Sequence, residues 1–132
     1  MAINYFPKTG SIYMCDFKSF KEPEMVKVRP VIVISPKLPF RSEIVAIVPM
    51  STTAPRQELE YCYRLSKNYM PNEQEGIITW AKCDMVINLA KHRLSAIKVG
   101  RRKYIYPELS ESDLRNVKQA VLYGLGLGEA TL

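Results

Sequence analysis

Three short polar clusters stand at the ends of apolar runs in this chain. Arg29 precedes Pro30 and Val31-Ile32-Val33-Ile34, Ser51-Thr52-Thr53 follow Ile44-Val45-Ala46-Ile47-Val48, and Lys82-Cys83-Asp84 interrupt an otherwise apolar stretch. A guanidinium offers a fork of donors to phosphate oxygens, hydroxyls donate to the same oxygens, and a carboxylate can take a proton from a ribose hydroxyl. Brought together, these groups would make a phosphodiester site. Each also has a purely structural alternative: Arg29 in a salt bridge with Asp84 or Glu24, Ser51 to Thr53 as a turn closing a strand, and Asp84 as a buried partner. The single His92 cannot supply a histidine pair for a metal or for acid–base work, and it reads as a surface or phosphate-contacting residue. No Gly-x-Ser-x-Gly, P-loop or His-Glu-x-x-His motif occurs, which argues against serine-triad hydrolases, nucleotide-driven motors and zinc proteases. Neither a metal nor a cofactor is expected.

Charge is concentrated in one place. Residues 91–103 hold Lys91, Arg93, Lys98, Arg101, Arg102 and Lys103 with no acid, so the remaining 13 basic residues balance the 13 acidic ones and this segment supplies the whole net charge of +6. A locally positive surface attracts polyanions, which makes nucleic acid the leading partner class and an acidic protein segment the second. The structural alternative is a solvated strand-and-turn segment.

The elements that must position these groups are mostly strands. Residues 12–17 read as a first strand led in by the turn Lys8-Thr9-Gly10. The β-branched runs 31–34, bounded by Pro30 and Pro36, and 44–48, closed by Pro49, read as central strands buried on both faces. Residues 59–65, 76–80, 83–87, 94–99 and 104–106 add further short segments. Many short strands punctuated by Pro and Gly suggest a small closed or strongly coiled β-barrel. Ser110-Glu111-Ser112-Asp113 has the spacing of a capping box, and Leu114, Val117, Ala120, Val121 and Leu122 follow at helical spacing, so residues 111–123 read as one amphipathic helix. Gly124, Gly126 and Gly128 follow that helix instead of leading into one, so residues 124–132 read as a helix stop and mobile tail. The 132 residues make one domain, 1–132, of ordinary globular composition, 47% hydrophobic and 24% charged. There is no basic leader with an apolar core and no run near the ~20 apolar residues of a membrane span. Cys15, Cys62 and Cys83 are an odd set without CxxC spacing, read as buried free thiols. A cytoplasmic location without membrane contact is expected.

The order Arg29-Pro30-Val31-Ile32-Val33-Ile34-Ser35, then Val48-Pro49-Met50-Ser51-Thr52, then Lys82-Cys83-Asp84-Met85-Val86-Ile87-Asn88-Leu89 resembles the MazF/PemK family of toxin endoribonucleases. Gly10-Ser11-Ile12 echoes the family's opening segment, Glu24 matches its Glu five residues before Arg-Pro, and the chain ends in a helix as family members do. The resemblance implies a mainly β, SH3-like barrel with a C-terminal helix, assembled as a homodimer. It implies a type II toxin that cuts single-stranded RNA without metal or cofactor: a ribose 2′-hydroxyl attacks the adjacent phosphate and leaves a 2′,3′-cyclic phosphate. By the same carry-over Arg29 stabilises the developing charge and can serve as an acid, Ser51 takes the family's phosphate-binding Thr place with Thr52 beside it, and Asp84 is the candidate base. Glu24 would sit in the loop covering the site. The RNA-binding set implied is Glu24, Lys27, Thr53, Lys82, Arg93, Lys98, Arg101, Arg102 and Lys103. A disordered acidic antitoxin segment is the expected protein partner, with residues 91–103 as its landing place.

The chain departs from the family pattern at Lys82 (an Arg in the PemK-like branch), Pro23 (a His in some members), Lys27 (usually Gly) and Ser51-Thr52-Thr53 (Thr-Ser/Ala-Gln). Lys82 keeps charge but loses the bidentate fork. Two alternatives of other classes stand beside the nuclease: a non-catalytic RNA-binding barrel, supported by Lys82 and Pro23, and a CcdB-like poison of a protein target such as DNA gyrase, for which the tail 123–132 would be decisive. Tyr61, Tyr63 and Tyr69 are surface candidates for the dimer contact.

Overall fold

A computed structural model describes residues 2–71 and 76–127. Among these residues nine strands precede one α-helix: β1 (Ile12–Asp16), β2 (Val28–Val33), β3 (Ile44–Ser51), β4 (Cys62–Arg64), β5 (Trp80–Lys82), β6 (Ile87–Ala90), β7 (Leu94–Ser95), β8 (Ile97–Gly100), β9 (Lys103–Ile105) and α1 (Glu111–Gly124). Single 3₁₀ turns, Cys83–Met85 and Lys91–Arg93, flank β6. No described helix is long and apolar enough to cross a membrane.

The main sheet runs β4-β5-β3-β2-β1-β7 in antiparallel pairs, with β6 also on β3, and β8–β9 form a separate hairpin. The expected mainly β fold with a C-terminal helix is therefore present. Closure is a different matter: among the described residues the hydrogen-bonded path ends at β4 and β7 and does not close into a barrel. The β-branched runs explain the core. Ile12, Ile32 and Val48 pack on one side with Val117, Ala120 and Val121 of α1, while their neighbours Tyr13, Val31, Val33 and Ile47 pack on the other with Leu89 and Leu94. Side chains alternate along a strand, so a continuous apolar run serves two buried faces.

Two prolines that read as strand boundaries lie inside strands. Pro30 pairs with Met14, and Pro49 pairs with Val31. Pro49 also falls between the stretch of β3 that pairs with β6 (Ile44 to Ile47) and the stretch that pairs with β5 (Met50 and Ser51). A residue without an N–H is tolerated where the ladder changes partner. Residues 83–87, read as strand, begin instead with the 3₁₀ turn that bridges this change.

Helix α1 starts as its sequence suggests, but only half of the capping box forms. Ser110 Oγ accepts from the Asp113 amide at 3.2 Å, whereas the Ser110 amide donates to the Tyr69 hydroxyl at 3.0 Å. The Asp113 carboxylate is thereby released to other partners: it accepts from Tyr63 Oη and Tyr69 Oη at 2.6 Å each and from Ser66 Oγ at 2.7 Å. Tyr69 is buried and Tyr63 half-buried, so these two rings serve this network and not an open surface. At the other end Gly124 belongs to the helix, and Gly126, at φ 79°, takes the left-handed position after it. Its amide donates to Tyr123 O at 3.0 Å and that of Leu127 to Leu122 O at 2.7 Å, a Schellman stop. Residues 128–132 of the expected tail lie outside the described residues.

Candidate active site

The cleft that gathers the hydroxyls and the guanidinium lies where β2, β3 and the start of β5 run side by side. Arg29, paired with Cys15 of β1, enters from β2; Ser51 ends β3 opposite Trp80 of β5. A space of about 150 Å³ is lined by Arg29, Ser51, Thr52, Thr53 and Thr79, with Met50 and Met70 among its apolar walls. Among the described residues Arg29 is the only ionisable side chain in that lining. Its Nε is buried and has no hydrogen-bond partner among the described residues, and the same is true of Thr79 Oγ1. Ser51 Oγ accepts from the Thr53 amide at 3.0 Å, which forms a tight turn after β3 and leaves the Ser51 hydroxyl hydrogen to donate elsewhere. Buried polar groups are normally paired, so these two are exceptions, and both belong to residues that line the cleft. Nothing singled out Thr79 in the sequence, where it follows Ile77-Ile78 in an apolar run.

The residues from 8 to 124 match the family model of the PemK-like, MazF-like toxins of type II toxin–antitoxin systems. The chain belongs to this family. Among curated proteins it is similar to the uncharacterized YifN of Escherichia coli (strain K12), 29% identical over 142 residues, with 92% of this chain and 93% of YifN covered. Its fold is similar to that of MazF from Deinococcus radiodurans, with a TM-score of 0.65, 19% identity and coverage of 93% of this chain and 99% of that one. It is also similar to a mycobacterial endoribonuclease solved with its cognate antitoxin, with a TM-score of 0.62, 21% identity and coverage of 92% and 96%.

In this MazF-like toxin the sequence-derived site divides into two places. Arg29, Ser51, Thr52 and Thr53 come together in the cleft, whereas Asp84 and Lys82 do not line it. Asp84 is exposed in the 3₁₀ turn, backed by α1: a Cβ on Gly124 would sit 3.1 Å from Asp84 Cα and from Cys83 O. Lys82 pairs across the ladder with Cys62. Burial pushes the Cys62 thiol up, the Asp84 charge adds to this, and Lys82 opposes it, which places all three in one neighbourhood. Burial likewise pushes the Cys15 and Cys83 thiols up to about 12, so neither is a ready thiolate. Neither Asp84 nor Glu24 forms an ion pair with Arg29 among the described residues.

Glu24 and Lys27 are exposed on the loop between β1 and β2. Glu24 lines a second, mainly apolar pocket of about 170 Å³ with Phe20, Met25 and Met85, next in sequence to Asp84. Arg93, from the basic segment, holds that loop. Its Nη1 donates to Asp16 O at 3.0 Å, its Nη2 to Ser19 Oγ at 2.6 Å, and its guanidinium lies 4.6 Å from the Phe20 ring centroid. Arg101, Arg102 and Lys103 are exposed at the β8–β9 turn, with Lys98 exposed on β8 and His92 on the 3₁₀ turn before β7.

Proposed function

We propose that this toxin is an endoribonuclease that cuts single-stranded RNA at the Arg29 cleft without a metal or cofactor. The observation that carries this reading is the Arg29 guanidinium set beside the hydroxyls of Ser51, Thr52 and Thr79 in a cleft whose described lining residues include no carboxylate. Such a set is made of donors, and a phosphodiester presents acceptors. The relatives described as endoribonucleases support it. In the reaction the ribose 2′-oxygen bonds to the adjacent phosphorus as the bond from phosphorus to the 5′-oxygen breaks. The products are a 2′,3′-cyclic phosphate and a free 5′-hydroxyl, whose oxygen takes up a proton from solvent water as it leaves. Arg29 and Ser51 hold the non-bridging oxygens as charge builds on them, which is catalysis by orientation and preorganised dipoles. Asp84 is the carboxylate proposed to take the 2′-hydroxyl proton. Because it stands outside the cleft lining, its contribution is expected to be smaller than that of Arg29. The test is to incubate end-labelled single-stranded RNA with the protein in excess chelator and identify the ends. Cyclic phosphate ends formed by the parent and lost in Arg29→Ala support the reading, and intact RNA across varied sequences overturns it.

The same reading makes the working form a homodimer restrained by an acidic antitoxin segment, supported by MazE–MazF of Deinococcus radiodurans and the mycobacterial complex as similar structures. Sedimentation is expected to give the mass of two chains. Polyglutamate is expected to slow RNA cleavage at low salt and to lose that effect as salt rises.

A further inference from the structure

The β8–β9 hairpin is the one part of the basic segment that neither the cleft nor the β1–β2 loop explains. Its register pairs Ile97 with Ile105 and Lys98 with Tyr104. Ile97 is buried in the core, whereas its cross-strand partner Ile105 and the neighbouring Tyr104 are exposed. Tyr106 lies two residues beyond Tyr104. Both tyrosines are 53% exposed. The Tyr106 ring is held in place from beneath: it stacks on buried Tyr13 at 5.9 Å and 8°, with Tyr5 tilted against it at 6.5 Å. Tyr5 and Tyr13 are joined through their hydroxyls at 2.9 Å. At the tip, Arg101, Arg102 and Lys103 are all exposed, and residues 91–107 contain no Asp or Glu. Glu108, which follows, is engaged with Lys8.

We infer that this hairpin is a second binding surface for single-stranded RNA, on which Tyr104 and Tyr106 stack bases while Arg101, Arg102 and Lys103 hold the backbone. Exposed aromatic faces beside a run of cations are the two parts such a surface needs, stacking for the bases and charge for the phosphates. A two-fold contact of the hairpin with its own copy would set these cations against one another, which disfavours self-association as the use of the patch. The surface shares its partner with the proposed nuclease but no residue with its cleft, so it would grip the strand away from the scissile bond.

The test is binding of an unstructured 2′-O-methyl RNA of about twelve nucleotides, a length suited to such platforms, which lacks the attacking hydroxyl. Tyr104→Ala is expected to weaken binding at least about fivefold and Tyr104→Phe to restore it, since one stacked base is commonly worth that much. Arg101→Gln with Arg102→Asn, the latter chosen because Arg102 sits at φ 59°, is expected to lower the salt slope by roughly 1.4 for two lost phosphate contacts. Thermal melting of each variant separates lost contacts from lost fold. Unchanged affinity in folded Tyr104→Ala overturns the inference, as does a changed sedimentation mass with unchanged RNA affinity. If the parent binds through the hairpin yet leaves ordinary RNA intact, the nuclease reading fails and this one stands. If it cleaves RNA but ignores Tyr104→Ala in binding, the reverse holds.

Discussion

Arg29 on β2 and Thr79 just before β5 are separated by β3, yet they line one cleft and each keeps a buried polar atom without a hydrogen-bond partner among the described residues. A buried unpaired donor costs on the order of 1–3 kcal/mol. Thr79→Val removes one such group at nearly constant volume. The variant is expected to melt at or above the temperature of the parent while RNA cleavage falls by roughly tenfold, the worth of one lost hydrogen bond. A lower melting temperature with unchanged cleavage would show that the hydroxyl serves the fold.

Arg29 and Asp84 are expected to differ in weight. Removing a donor from the phosphate oxygens in the transition state costs about 100- to 1,000-fold, so Arg29→Ala should lose that much in kcat/KM with its fold intact. Arg29→Lys keeps the charge without the fork and should recover only part of it. Asp84→Asn, outside the cleft lining, should lose less than Arg29→Ala. Steady-state cleavage of one labelled RNA by the three variants decides the order, and equal loss in Asp84→Asn and Arg29→Ala would place the carboxylate at the reacting atoms.

Asp113 is a buried carboxylate without an ion-pair partner among the described residues, held ionised by Tyr63, Tyr69 and Ser66. Burial alone would raise its pKa, but these hydrogen bonds outweigh it and hold the group below its ordinary value of 3.8. A depressed folded-state pKa stabilises the fold above that ordinary value, and the stabilisation is lost as pH falls through the folded value. Chemical denaturation is therefore expected to show stability dropping as pH falls below about 4, with a flatter profile in Asp113→Asn. Asp113→Ala strands four donors, the hydroxyls of Tyr63, Tyr69 and Ser66 and the Ser66 amide, and is expected to cost about 3 kcal/mol at neutral pH.

Gly124 lies against backbone. A Cβ there would come within 3.1 Å of Asp84 Cα and Cys83 O, neither of which is a flexible side-chain end. Replacing a helical glycine by alanine ordinarily stabilises by up to about 1 kcal/mol. Gly124→Ala is expected to forfeit that gain, and Gly124→Val to lower the melting temperature outright. A clear rise in either would mean that α1 and the 3₁₀ turn carrying Asp84 can move apart.

Some of this was written in local pattern. The runs 31–34 and 44–48 declare strands because β-branched residues on consecutive positions suit a sheet with two buried faces, and Ser110 declares a helix start because its hydroxyl has only one amide to reach. The order Arg-Pro, Ser-Thr, Cys-Asp along those runs was enough to point to the family. What depends on register was not legible. Whether Pro49 ends a strand or spans a change of partner, whether Asp113 caps its own helix or binds Tyr63 and Tyr69 about fifty and forty residues away, and whether Thr79 reaches Arg29 are set by pairings distant in sequence. Composition and period carry only which residues want burial or a local hydrogen bond. Which of them meet, and that Arg29 gathers hydroxyls while Asp84 stands apart on its 3₁₀ turn, was decided when β3 exchanged β6 for β5 and α1 packed over the change.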